Sequence, residues 1–493
     1  MVPGAHLGQT RRTGYAARGY AGGHDRTEDS MDRLSPQDAS FLHIEDAGPL
    51  MHIGSVAIFE GPPPTYDEMS AMVGNKLGQV PRYRQKVRTV PFDLERPVWV
   101  DDPHFRLAYH LRRTALPSPG SPEQLRALVG RIMSQRLDRE KPLWEMWMVE
   151  GLHDDRWALL SKVHHCLVDG VAGTDLLALV LDVEPEPQRP AETTDGWSPG
   201  PEPTGLQLLG AGLRDRITSP YEQLRGARAL LRAPLEFARL AEESGRGLFA
   251  LRRLLNPTAH SSLSGPIGPH RVWAWACTSL DDVKAVRRVF GGTVNDVILT
   301  TITRGFRDLL LSRGEPVGGT VVRSLVPVSV RRPDERGTHN NRVSAMFADL
   351  PVGIDDPVER LRAIEAQMRH LKDSKMAVAG ETLVSLSGFA PPLLLALGAR
   401  VAARASQRNI NTVTTNVPGP QFPLYAAGRR MTDAFPYVPI GNGIRIGVAI
   451  FSYCGALNVG VTGDYESAGD IDVLCAGVED GLAELVKAAK RVA

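Results

Sequence analysis

Along "HIGSVAIFEG" (52–61) apolar and polar or small residues alternate with the two-residue period of a strand. "SPEQLRALVGRIMSQRL" (121–137) has helical apolar spacing instead, opened by Ser-Pro and a glutamate in the first turn. The apolar runs "LWEMWMVEGL" (143–152) and "DRWALLSKVHH" (155–165) flank a short polar turn at 153–156, which predicts a hairpin. Helical spacing resumes in "DGVAGTDLLALVLD" (169–182). Further on, "SLDDVKAVRRVF" (279–290) reads as a capped amphipathic helix. "GGTVNDVILTTITRGFRDLLLSRG" (291–314) reads as a second one, with Thr293 as N-cap and Asp296 closing a capping box. "VVRSLVPVSVR" (321–331) predicts a strand, and "GIRIGVAIFSYCGALNVGVTGD" (443–464) a hairpin turning at Cys454-Gly455.

These elements divide into two α/β units, 31–182 and 270–493, as a chain of 493 residues would predict. Between them, 183–269 starts as a linker with six prolines in 183–205 and continues as arginine-rich helical sequence. Arg225, Arg232, Arg239, Arg246 and Arg253 recur every seven residues and form one slowly drifting stripe. One reading is a solvated helix face; the other is a basic surface that rests on anionic lipid. Residues 1–30 are rich in glycine and arginine and read as a disordered extension, with Met31 as a candidate start.

Composition changes this picture little. Basic and acidic residues balance to a net charge of +1, which gives no reason to expect a nucleic-acid partner. Four scattered cysteines without a CxxC pair read as reduced thiols. The most apolar stretch, 383–406, is broken by Pro391-Pro392 and carries Arg400 and Arg404, so it does not read as a membrane span.

The chemistry concentrates in "VHHCLVDGVAG" (163–173). If the preceding strand continues through it, His165 shares a face with Val163, Ser161 and Leu159. His164 then points the other way with Lys162, and Cys166 points away from His165. Two adjacent strand histidines do not converge on one metal, and the spacings of zinc sites are absent, so no metal is expected. A thiol–imidazole pair is weakened by the same alternation. A lone imidazole at a strand end, before an Asp169-Gly170 turn, suits a general base; the alternative is a pair of satisfied core histidines beside a helix cap.

"HHCLVDG" matches the HHxxxDG motif of the chloramphenicol-acetyltransferase-like superfamily. Together with "LSPQDASFLHIED", "MHIGSVAIFEG", "LDREKPLWEMWMVEGL", "GGTVNDVILT", "SLVPVSVR" and "TNVPGP", in that order, the chain resembles the bacterial wax ester synthase/diacylglycerol acyltransferase family from Met31 onward. The resemblance implies two chloramphenicol-acetyltransferase-like subdomains with mixed β-sheets flanked by helices, a helical linker, and a substrate tunnel at their interface. It implies acyl transfer from acyl-CoA, a co-substrate, to diacylglycerol or a long-chain alcohol, with no cofactor. It makes His165 the base and His164 its neighbour in support. Asp169 becomes an orienting residue with Gly170 beside it, and Arg331 a candidate salt-bridge partner for Asp169. Asn295, at the second position of its helix, would hold substrate or tetrahedral intermediate, the alternative being ordinary capping by Asp296. Thr415 and Asn416 stand where relatives place an oxyanion-stabilising hydroxyl, although the family more often has serine at 415. Pro142, Leu143 and Trp144 are either tunnel wall or core. The implied location is cytoplasmic, peripheral to the inner face of the membrane or to lipid droplets. The competing readings are a condensation-type transferase using carrier-protein thioesters and a non-catalytic droplet-binding protein.

Overall fold

The computed structural model describes residues 31–45, 49–167, 177, 180–186, 197–218, 261–329, 343–373, 410–441 and 443–492. Two six-stranded mixed sheets organise them. The first contains β1 (His52–Glu60), β2 (Leu111–Ala115), β3 (Trp144–Leu152) and β4 (Arg156–His164). The second contains β5 (Arg271–Ser279), β6 (Val322–Ser329), β7 (Val343–Leu350) and β8 (Thr412–Val417). The chain then returns to the first sheet as β9 (Tyr425–Ala426) and β10 (Arg429–Tyr437), before β11 (Ile446–Tyr453) and β12 (Ala456–Asp464) complete the second. The spatial orders are β9-β10-β1-β4-β3-β2 and β7-β6-β8-β11-β12-β5. A strand pair from the C-terminal half thus finishes the sheet that carries the histidine motif.

Both predicted hairpins form, β3–β4 and β11–β12, each with antiparallel pairing. Their strands read as nearly continuous apolar runs because both faces are covered. On β1 and β4, Ala57, Phe59, Trp157 and Leu159 enter one buried cluster, while Val56, Ile58, Ala158 and Leu160 enter another with Leu125, Leu128, Val129 and Ile132.

The helices begin where local chemistry directs. α1 (Pro36–Ile44) has Ser35 as N-cap, its hydroxyl accepting from the Asp38 amide at 3.1 Å, with proline at N1. α2 (Tyr66–Leu77) and α3 (Pro122–Met133) open with capping boxes, Thr65–Glu68 and Ser121–Gln124. α4 (Gly205–Thr218) follows the proline-rich stretch, and α5 (Leu280–Phe290) is capped by Ser279. α6 (Val294–Ser312) carries the predicted Thr293–Asp296 box, while α7 (Pro357–Asp373) and α8 (Ile471–Val492) pack beside it. Where α3 meets β5, the Arg271 amide donates to Ser134 Oγ at 2.8 Å, and a Cβ on Gly130 would lie 2.8 Å from the Arg271 carbonyl oxygen. Only glycine allows that approach. The N-terminal extension, the arginine stripe and the 383–406 stretch lie outside the described residues. No helix among the described residues is long and apolar enough to cross a membrane.

Candidate active site

The strand carrying the motif ends one residue earlier than the alternation predicts. β4 stops at His164, and His165–Leu167 form a single 3-10 turn. Backbone pairing on both sides of the strand holds to that point. The His164 amide donates to the Leu143 carbonyl at 2.9 Å, and the next amide, of His165, donates to the Met51 carbonyl at 2.8 Å. The chain turns from there, so the side-chain alternation deduced by continuing the strand does not extend to Cys166.

His165 is partly exposed, and its ring stacks on Phe41 of α1 with centroids 4.0 Å apart. Its Nδ1 is buried without a hydrogen-bond partner. Burial lowers its pKa below the ordinary histidine value, against a smaller opposing hydrogen bond to its own backbone, so the imidazole is neutral near pH 7. A neutral imidazole can accept a proton, which is what a general base requires.

His164 is fully buried and occupied. Its Nδ1 accepts from the Cys166 amide at 3.1 Å, so the neutral ring carries its proton on Nε2. That nitrogen faces Glu45 Oε2 at 3.7 Å. Burial pushes the His164 pKa down to about 4, although Glu45 acts in the opposite direction. Glu45 is itself buried at the C-terminal end of α1, with His52 Nε2 3.5 Å from Oε1 and Arg139 donating to Oε2 at 2.7 Å. His52 lies directly opposite His164 in the β1–β4 register. This Glu45–His52–Arg139 group beneath the motif is absent from the residues singled out by sequence. Its members lie inside the quoted blocks "FLHIED", "MHIGS" and "LDREKPLW", but only the fold brings them to one place.

Cys166 is buried in the core. Burial, with Asp38 and Glu45 adding to it, raises its thiol pKa well above the usual value, so it is not a nucleophile at neutral pH. Cys166→Ala should keep turnover within a few-fold of the native rate in a steady-state transfer assay; loss of turnover would make the thiol part of the chemistry. Among the described residues no group of three or more His, Cys, Asp or Glu side chains is arranged to hold a metal ion.

The Pro142-Leu143-Trp144 triplet is buried. Trp144 donates from Nε1 to the Tyr83 carbonyl at 2.8 Å and stacks on His110 at 4.6 Å, while the Leu143 carbonyl is the acceptor for the His164 amide. Through these contacts the triplet braces the histidine pair from the neighbouring strand.

In the second sheet, Asn295 occupies the second position of α6. Asn416 of β8 reaches it, donating from Nδ2 to Asn295 Oδ1 at 3.4 Å. That leaves the Asn295 amide nitrogen to donate elsewhere, close to the positive end of the helix. Asp296 caps α6, accepting from the Thr293 amide at 2.8 Å. Thr415, next to Asn416, is partly buried and pairs in register with Ala449. Among the described residues no hydrogen bond or ring contact joins His165 to Asn295, Thr415 or Asn416. Asp169, Gly170 and Arg331 lie outside the described residues.

Comparison with known proteins adds an independent line. Residues 34–298 match the model of the wax ester synthase/diacylglycerol acyltransferase catalytic domain, and 339–486 match the WS/DGAT C-terminal domain. A probable diacylglycerol O-acyltransferase of Mycobacterium tuberculosis is 38% identical over 466 residues, covering 94% of this chain and 97% of that protein. The wax ester synthase/diacylglycerol acyltransferase of Marinobacter aquaeolei VT8 superposes with a TM-score of 0.65 at 25% identity, covering 93% of this chain and all of the other. Trichothecene 15-O-acetyltransferase of Fusarium sporotrichioides shares the fold at a TM-score of 0.58 and 13% identity, covering 92% of this chain and 94% of its own.

Proposed function

The chain belongs to the wax ester synthase/diacylglycerol acyltransferase family and is an acyl-CoA-dependent acyltransferase, and from that premise we propose that it esterifies the free hydroxyl of diacylglycerol, with long-chain alcohols as a second acceptor class. The observation that carries the reading is His165. It is a partly exposed imidazole on a turn at the end of β4, stacked on Phe41, with burial holding its pKa below the ordinary histidine value.

In the proposed reaction His165 takes the proton of the acceptor hydroxyl as its oxygen attacks the thioester carbonyl. The negative charge that develops on the carbonyl oxygen is met by the Asn295 amide, held by Asn416. Collapse of the tetrahedral intermediate breaks the C–S bond, and the departing CoA sulfur receives the proton from His165. The products are an ester and free CoA. A thioester is already activated, so the scheme calls for no metal and no covalent cofactor. Surrounding apolar residues disfavour water as the acceptor. His164, Glu45, His52 and Arg139 act as positioning residues beneath the turn. Peripheral attachment to the inner face of the membrane or to lipid droplets belongs to the same proposal, because the acceptor is embedded in lipid.

Purified protein offered one labelled acyl-CoA with diacylglycerol, hexadecanol or water in parallel tests the acceptor assignment. Diacylglycerol should give the most ester and water little free fatty acid. Ester from hexadecanol alone would assign the wax-ester reaction instead, and no turnover with any acceptor would favour a non-catalytic lipid-binding role.

A further inference from the structure

We propose that the outward face of α4, together with Phe92, is the surface by which this enzyme docks on an anionic lipid bilayer; the inference rests on the acceptor being a membrane lipid. Phe92 and Leu206 are the two most exposed large hydrophobic side chains among the described residues, at 83% and 81%, and Leu213 is 53% exposed. They are adjacent. α4 packs on the Pro91–Asp93 turn and the residues beside it through Gly205, where a Cβ would lie 3.9 Å from the Pro91 ring, and through Gly212, 3.4 Å on the same measure from Glu95 Cβ. Leu206 and Leu213, seven residues apart, share one exposed stripe of the helix, turned away from that packed face.

Phe92 is held outward by its backbone. Its φ of 63° is left-handed, a conformation that a bulky side chain seldom adopts and that points to a site under functional constraint. An aromatic ring and two leucines standing in water are unfavourable for a free surface and suited to shallow insertion among acyl chains.

Charge identifies the occupant. Arg214 is exposed directly after Leu213, and from Arg214 to Arg253 the sequence has nine arginines against five acidic residues, in a chain whose overall net charge is only +1. Apolar side chains leading into basic sequence match the chemistry of an anionic interface. A stable protein interface buries above about 1,000 Å², more than three apolar side chains on a glycine-containing helix provide.

The location serves the reaction. The loop behind Phe92 is hydrogen-bonded to the segment that enters α1: the Leu34 amide donates to the Pro97 carbonyl at 2.9 Å and Arg96 Nη1 to the Leu34 carbonyl at 2.9 Å. α1 in turn carries Phe41 against His165. A short, tied path of structure therefore connects the docking face to the catalytic base.

The test is co-sedimentation of the full-length protein with vesicles of equal phosphatidylglycerol and phosphatidylcholine, compared with pure phosphatidylcholine. The native protein should prefer the anionic vesicles and lose affinity as salt rises. The triple variant Phe92→Ser, Leu206→Gln, Leu213→Gln should bind them about tenfold or more weakly. Phe92→Ser alone, at a site with little packing to lose, should show part of that loss. Transfer to a short water-soluble alcohol should be unchanged in both variants. Vesicle binding equal to that of the native protein, or loss of transfer to the soluble alcohol with vesicle binding intact, would overturn the docking surface. Turnover of detergent-dispersed diacylglycerol by the native protein scores the functional reading separately, so either can fail alone.

Discussion

His165→Ala should lower ester formation by about two to four orders of magnitude, the usual contribution of a positioned general base, while the protein remains folded. Its ring is partly exposed on a turn and stacks on one side chain, so its removal leaves the core clusters intact. The native enzyme should show the matching pH profile. Because burial depresses the His165 pKa, the base is neutral near pH 7, and the acid limb of kcat/KM should lie below that of an ordinary histidine. His164→Ala should act differently. It removes the acceptor for the Cys166 amide and the imidazole facing Glu45 Oε2 in a buried spot, so its first effect should be on stability. A folded His165→Ala enzyme with native turnover would contradict the assignment.

Trp144→Ala should destabilise the protein by about 3–5 kcal/mol, as removal of a fully buried aromatic side chain does. The residue packs edge-on to Tyr83 at 5.7 Å and face-on to His110, and its indole N–H satisfies a buried carbonyl. Trp144→Phe keeps most of the ring volume and orphans only the Tyr83 carbonyl, so its cost should be nearer 1–3 kcal/mol, on the order of one unsatisfied buried group. Denaturant unfolding reads both values. If Trp144→Phe instead left stability unchanged and altered acyl-chain preference, the indole would line the substrate path.

The comparison of sequence with structure follows a physical division. Hairpins and helix starts were legible because their causes are local: apolar runs around a polar turn for β3–β4, and hydroxyl–carboxylate capping at Thr293–Asp296. The end of β4 was not, because the ladder to β1 holds through the His165 amide, paired with a residue more than a hundred positions away, and the turn that follows is not marked by apolar periodicity. The same holds for the return of Arg429–Tyr437 to the first sheet, which no periodicity encodes. At the site, the motif located His165, and the resemblance supplied Asn295 and Asn416, which the fold brings into contact. Glu45 escaped notice because a single acidic residue at a helix end looks like any side chain facing water. Burial beside His52, His164 and Arg139 gives it meaning, and that requires two strands and a helix to assemble.

The central claim is that the acyl group passes from CoA to the lipid hydroxyl in one step, with His165 as base. Rapid-quench analysis of enzyme mixed with acyl-CoA, with and without acceptor, and intact-mass measurement of the same samples, tests it most directly. The account predicts that fast CoA release requires the acceptor and that the protein mass never rises. A burst of CoA equal to the enzyme concentration without acceptor, accompanied by an acylated protein, would contradict it.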